Sequence, residues 1–155
     1  MKNIVLVLST TKTPEKAIDF AVKEASARGA RLIALYVLEQ AVSKDVFDRF
    51  TDIGFIGDKP SKELSEAIMK EYRQRGYEEL GRVQIKAMES AVDFDTVMTE
   101  GDYVAATLRL VEEKGVGLCV VIRRKRSALG RYFSRSPADE IKDSTPCDVC
   151  VFDEE

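Results

Sequence analysis

Two unbroken apolar runs constrain this chain most: Asn3-Ile-Val-Leu-Val-Leu8 and Arg31-Leu-Ile-Ala-Leu-Tyr-Val-Leu38. A strand with one wet face alternates polar and apolar residues. A run that does not alternate must be covered on both faces. Between the two runs, Ala17, Ile18, Ala21, Val22 and Ala25 recur at helical spacing and make one apolar stripe. Thr13 is the expected N-cap of that helix, Pro14 its first residue and Gly29 its C-cap. Two doubly covered strands joined by one helix imply parallel pairing through a right-handed crossover. The expected class is therefore α/β, with helices on both faces of a parallel sheet.

The same pattern continues along the chain. Ser61 can cap a long helix running to about Ala91, with Leu64, Ile68, Tyr72, Leu80, Val83 and Ala87 on one face. Gly76 falls on that face too, where glycine costs roughly 1 kcal/mol against alanine. Either the helix kinks there or a neighbour packs close. Phe94 to Thr99 alternates as a third strand, and Asp102 caps a helix with Val104, Ala105, Leu108 and Val111 as its stripe and Gly115 at its end. Leu118 to Ile122 reads as a fourth strand. Ser136 caps a short helix in which Asp139 stands where a capping box wants an acid, and Val149 to Phe152 reads as a fifth strand. Residues 40–60 break the pattern: Val46, Phe47, Phe50, Ile53, Phe55 and Ile56 are interrupted by Gly54, Gly57 and Pro60. They read as a long loop with a short helix folded over its own domain, or as a lid or partner-facing segment. With 155 residues and no internal repeat, we expect a single domain over 1–155.

Composition narrows the chemistry. The chain has no histidine, the commonest general acid–base and metal ligand. It carries no nucleophile elbow, P-loop or metal-ligand cluster, so we expect no catalytic residue, no metal site and no enzyme. Weak ATPase activity is kept as the enzymatic alternative. Three cysteines suit a reducing compartment. Cys147 and Cys150 form a CxxC, but they lie on a strand, where positions three apart face opposite ways, so a redox or zinc role is not expected. No apolar stretch approaches the roughly 18 residues of a membrane span, and the amino terminus lacks the apolar core of a secretion signal. A cytoplasmic protein without membrane contact is expected.

The unusual segment follows the fourth strand. Residues 123–135 hold Arg123, Arg124, Lys125, Arg126, Arg131 and Arg135 and no acid. The other 18 basic residues face 27 acids, so the rest of the chain is strongly acidic. A basic patch on an acidic body is either a solvated loop or the seat of one local anionic partner. Nucleic acid is disfavoured, because the patch is short and only Tyr132 and Phe133 offer stacking faces. Ser127, just after four basic residues, is a candidate phosphorylation site.

The element order, together with the opening strand and helix, Glu100-Gly101-Asp102, the segment from Gly101 to Gly115, Arg126-Ser127 and Thr145-Pro146-Cys147 before the last strand, resembles the universal stress protein family over nearly the whole chain. The resemblance implies a Rossmann-like three-layer sandwich, with a five-stranded parallel sheet in the order 3-2-1-4-5. It also implies a homodimer through the last strand, here Val149, Cys150, Val151 and Phe152. ATP-binding members look like GxxG, nine residues, then Gly-Ser or Gly-Thr after the fourth strand, with an aspartate ending the first. Here Ile122, Lys125 and Arg135 stand at the glycine positions, Ser136 keeps its type, and Ser9 replaces the aspartate. Side chains at those three positions take space that phosphates need. The chain therefore resembles the branch that does not bind ATP, and no cofactor is expected. Arginine forks and a helix start still attract phosphate, so ATP or another phosphorylated ligand stays open. The candidate nucleotide- or anion-binding residues are Ser9, Thr10, Val37, Arg124, Lys125, Arg126, Ser127, Arg135 and Ser136. The implied function is a non-enzymatic stress-response or regulatory homodimer with protein partners that the sequence does not name. The alternative is a nucleotide- or phosphate-binding switch built on the arginine-rich loop, or arginines that pair with acids across the dimer.

Overall fold

The strands β1 (Asn3–Val7), β2 (Leu32–Leu38), β3 (Phe94–Glu100), β4 (Val116–Arg123) and β5 (Asp148–Asp153) pair in parallel, in the order β3-β2-β1-β4-β5. The computed structural model describes residues 3–9, 12–39, 62–124 and 136–154. The strands are connected through helices α1 (Glu15–Arg28), α2 (Lys62–Glu89), α3 (Tyr103–Lys114) and α4 (Pro137–Ser144).

The two apolar runs behave as doubly covered strands should. β2 is buried at all seven positions, and Ile4 to Leu8 are each 1% exposed or less. Alternate side chains of the central strands enter two separate cores. Ile4, Leu6, Leu8, Leu32, Ala34, Tyr36, Leu118, Val120 and Ile122 pack with Ala17, Ile18, Ala21 and Val22 of α1 and Leu80 and Val83 of α2. Val5, Val7, Ile33, Leu35, Val37, Cys119 and Val121 pack with Tyr103, Leu110 and Val111 of α3 and Ala138 and Ile141 of α4. Helices thus lie on both faces, and the expected three layers and strand order are present. Cys150 and Phe152 turn to the first core while Cys147, Val149 and Val151 turn to the second, so the CxxC splits across the sheet.

The helix ends follow local chemistry. Gly29 and Gly115 close α1 and α3 with φ of 60° and 59°, angles that side chains resist. Asp102 accepts from the Ala105 amide at 2.8 Å, as a cap should. Three expectations change. Pro14, not Thr13, is the N-cap of α1, and it makes no side-chain cap bond; α1 begins at Glu15. The buried face of α3 is Tyr103, Thr107, Leu110 and Val111, whereas Ala105 is exposed and Val104 and Leu108 are half-buried. Thr107 can be buried because its hydroxyl donates to the Tyr103 carbonyl one turn earlier, at 2.8 Å. The Asp139 carboxylate does not complete a capping box: it accepts from Arg123 Nη2 at 2.6 Å.

Gly76 has a packing reason. A Cβ built there would lie 2.7 Å from Tyr36 Cδ1 and Cε1 and from Met98 Cε, so glycine lets α2 lie directly on the β2 ring. Ile68, Leu80, Val83 and Ala87 share this inner face as expected, with Tyr72 half-buried. The Leu64 side chain, Ser61 and residues 40–60 lie outside the described residues.

Candidate functional site

In a parallel sheet all carboxyl ends lie along one edge, and the helix starts gather there too. β1 and β4 are adjacent, yet β1 connects toward β2 while β4 connects toward β5. The reversal opens a crevice above their carboxyl ends, the place where doubly wound sheets bind ligands. Ser9 leaves β1 there, Arg124 leaves β4, and the α1 and α4 starts face it.

The β1 side is pinned from below. The Ser9 amide donates to Thr13 Oγ1 at 3.2 Å, and the Thr13 amide donates to Glu79 Oε1 at 2.6 Å. Glu79 is only 5% exposed; it is paired with Arg82, whose Nη1 also donates to the Thr13 carbonyl at 3.3 Å. A buried carboxylate on α2 thus fixes the turn that carries Ser9. Thr13, expected as a helix cap, instead joins that turn to α2.

On the β4 side, Ser136 is buried and its Oγ accepts from the Asp139 amide at 3.4 Å, capping α4 as expected. Arg123 Nη2 holds Asp139 at 2.6 Å and its Nη1 reaches Asp153 at 3.4 Å, tying the ends of β4 and β5 to α4. The hydrogen bond it donates to the Asp139 carboxylate holds the Arg123 guanidinium above its ordinary pKa. Ile122, at the first glycine position, is a strand residue 4% exposed, with its side chain in the α1–α2 core.

Arg124 reaches across the crevice. Its Nη2 lies 3.3 Å from Glu39 Oε1, just beyond β2, and its guanidinium carbon lies 5.8 Å from the centre of the Tyr103 ring. β2 and β4 flank β1, so this pair bridges the carboxyl end of β1. A carboxylate and an aromatic face both attract guanidinium. Burial pushes the Tyr103 phenol up, so it stays neutral beneath the cation. Val37 is buried in β2 on the face shared with Tyr103.

The structure therefore brings Ser9, Val37, Arg124 and Ser136 to one edge. Thr10, Lys125, Arg126, Ser127 and Arg135 lie outside the described residues. Glu39, Tyr103 and Glu79 were missed. Glu39 directly follows the second apolar run, a position that points to this edge; Glu79 sits amid ordinary helix charges and gives no such signal. The described residues do not fit a glycine cradle: Ile122 fills the core, Arg124 is engaged with Glu39, and the Ser9 amide is taken by Thr13. Among the described residues, no group of three or more His, Cys, Asp or Glu side chains is placed to hold a metal ion. No described helix is long and apolar enough to cross a membrane.

Residues 1–153 match the universal stress protein family. The chain belongs to this family. Universal stress protein YxiE of Bacillus subtilis strain 168 is 29% identical over 136 residues, covering 88% of each chain. Among solved structures, universal stress protein UspA from Lactobacillus plantarum superposes with a TM-score of 0.70 at 18% identity, over 97% of each chain. A universal stress protein in complex with cAMP superposes with a TM-score of 0.64 at 18% identity, over 99% of this chain and 98% of that one. These superpositions establish the shared fold of this universal stress protein.

Proposed function

We propose that this universal stress protein serves a stress response without catalysis, as a cytoplasmic homodimer joined through β5, and that it does not hold ATP in the pose a glycine-rich loop provides. The observation that carries the reading is the Arg124–Glu39 pair over Tyr103: the described arginine that reaches across the crevice is committed to its own chain. Family membership supports the stress-response role. The three cysteines are free thiols, as suits a reducing compartment. For the dimer, among the described residues β5 pairs with β4 along one edge only, and Val149 and Val151 on one face and Cys150 and Phe152 on the other are half-buried. An unpaired edge strand is a template for a second copy, and a twofold pair would continue the sheet.

The second reading is a nucleotide- or phosphate-binding switch. It is favoured by the cAMP complex of a relative and by the Ser136-capped start of α4 at the crevice. Titration calorimetry with ATP and magnesium separates the two, after the as-isolated nucleotide content and the dimer mass are measured. The first reading expects a dimer and no saturable binding at micromolar ligand. Micromolar binding that is lost in Arg126→Ala or Arg135→Ala would replace it with the second.

A further inference from the structure

The backbone of β5 decides which residues meet when two copies join along it. The Glu154 amide donates to the Arg123 carbonyl at 2.8 Å. Successive residues of a strand turn their backbone groups to opposite sides, so Phe152, Cys150 and Asp148 turn theirs toward β4 as well. β4 and β5 keep one register from Leu118↔Asp148 to Arg123↔Asp153, so the alternation holds along the strand. Val149, Val151 and Asp153 therefore turn their backbone groups to the edge that no described strand covers. A twofold axis normal to the sheet sets a second β5 antiparallel to the first and keeps each side chain on its own face. Residues opposed across an antiparallel pair share a face, so the axis passes at one residue, which opposes itself.

Two axis positions pair most of β5 with its copy: Cys150, which pairs 148–152, and Val151, which pairs 149–153. With the axis at Val151, Val149 opposes Asp153, and Asp148 opposes Glu154 one step further out. Like charges directly across a ladder are destabilising. With the axis at Cys150, Val149 opposes Val151 twice, Asp148 opposes Phe152, and no carboxylate directly opposes another. We propose that the axis passes at Cys150, and that the two Cys150 thiols, one from each copy, close a disulfide under peroxide that locks the dimer. The inference rests on the β5 homodimer proposed above. Cys150 turns its backbone away from the new edge, so it meets its counterpart as a non-hydrogen-bonded pair, with Cα atoms about 4.5 Å apart. A disulfide spans about 4.4–6.8 Å between Cα atoms. Cys150 is half-buried, and strand side chains stand on the sheet faces, so edge pairing leaves its thiol on a face and not between the strands. Cys119 is fully buried within β4. Cys147 would oppose Asp153, about 20 Å along the strand from the second copy's Cys147. The link thus joins two chains and does not use the CxxC as a pair.

The chemistry balances with hydrogen peroxide as oxidant. One Cys150 thiolate attacks the peroxide; an S–O bond forms, the O–O bond breaks and water leaves. The second copy's thiolate attacks that sulfenic sulfur; the S–S bond forms, the S–O bond breaks and a second water leaves. The two thiols lose two electrons, the peroxide gains them, and the thiol protons leave in the two waters. A dithiol reverses the link by exchange, so in a reducing compartment it lasts only while oxidant does.

The test uses the full chain. Non-reducing electrophoresis after hydrogen peroxide should show a covalent dimer, peptide mass should join Cys150 to Cys150, and a dithiol should return the monomer band. Cys150→Ser should lose the link, whereas Cys119→Ser and Cys147→Ser should keep it. Light scattering of reduced Cys150→Ser should still show a dimer, since the strands pair without the bond. A dimer that gives no Cys150 link, or that links through Val151→Cys in a Cys150→Ser background, overturns this inference but not the dimer. A reduced parent chain that is monomeric overturns both.

Discussion

Replacing Gly76 and Gly81 with alanine should move stability in opposite directions, although both glycines lie in α2. In a helix interior the exchange ordinarily gains about 1 kcal/mol. Gly81→Ala should realise that gain, because no described residue lies within 4 Å of the added carbon. At Gly76 the new carbon would stand 2.7 Å from two atoms of the Tyr36 ring and from Met98 Cε. Carbon atoms prefer about 3.5–4.0 Å, so the contact is roughly an ångström too close. Met98 is half-buried on an edge strand and can swing its methyl away. Tyr36 is fully buried on a strand paired on both sides, so α2 must lift or the ring must leave its rotamer. Overpacking of this kind costs about 1–3 kcal/mol. Gly76→Ala should therefore range from neutral to about 2 kcal/mol destabilising, leaving about 1–3 kcal/mol between the two variants. Denaturant titration of both, at one dilute protein concentration and with unchanged m, reads the difference as a shift in midpoint. In a Tyr36→Leu background the penalty at position 76 should largely vanish, since the ring edge that causes it is gone. A Gly76→Ala chain stabilised as much as Gly81→Ala would refute the close-packing account.

Tyr36 also buries its hydroxyl without a hydrogen-bond partner among the described residues, and burial pushes its pKa up to about 12 from the ordinary 10.0. Because the folded pKa is the higher one, the unfolded chain releases the proton first. Stability should be intact below pH 10 and fall by about 1.4 kcal/mol per unit as pH rises from 10 toward 12. Tyr36→Phe should raise stability at neutral pH by about 1–3 kcal/mol and remove this tyrosine's share of the alkaline loss, followed by denaturation at several pH values; a destabilised Tyr36→Phe would mean the hydroxyl is satisfied. Glu79→Ala strips the Thr13 amide of its buried acceptor and should cost about 1–3 kcal/mol, with faster amide exchange around Thr13. Glu79→Gln keeps an acceptor oxygen and should cost less; equal losses would show that charge, not the hydrogen bond, holds the turn.

What the chain's residues declared by themselves was much of what is carried within a few positions, the Thr13 cap and the Asp139 capping box excepted. Unbroken apolar runs of strand length required cover on both faces, and the connecting helix required parallel pairing. Asp102, Ser136, Gly29 and Gly115 act on backbone groups within a turn of themselves, so their roles were readable. The buried face of α3 was not, because Thr107 counts as polar until its bond to the Tyr103 carbonyl is seen. The crevice was legible as a place, from the strand-to-loop transition at Ile122 to Arg124. Its wiring was not. Arg124 and Glu39 stand 85 residues apart, and Thr13 and Glu79 stand 66 apart. No local period links such pairs. They meet only because β2 and β4 flank β1 and because α2 lies flush on Tyr36, and that docking decided which arginine was already engaged and why position 76 holds a glycine.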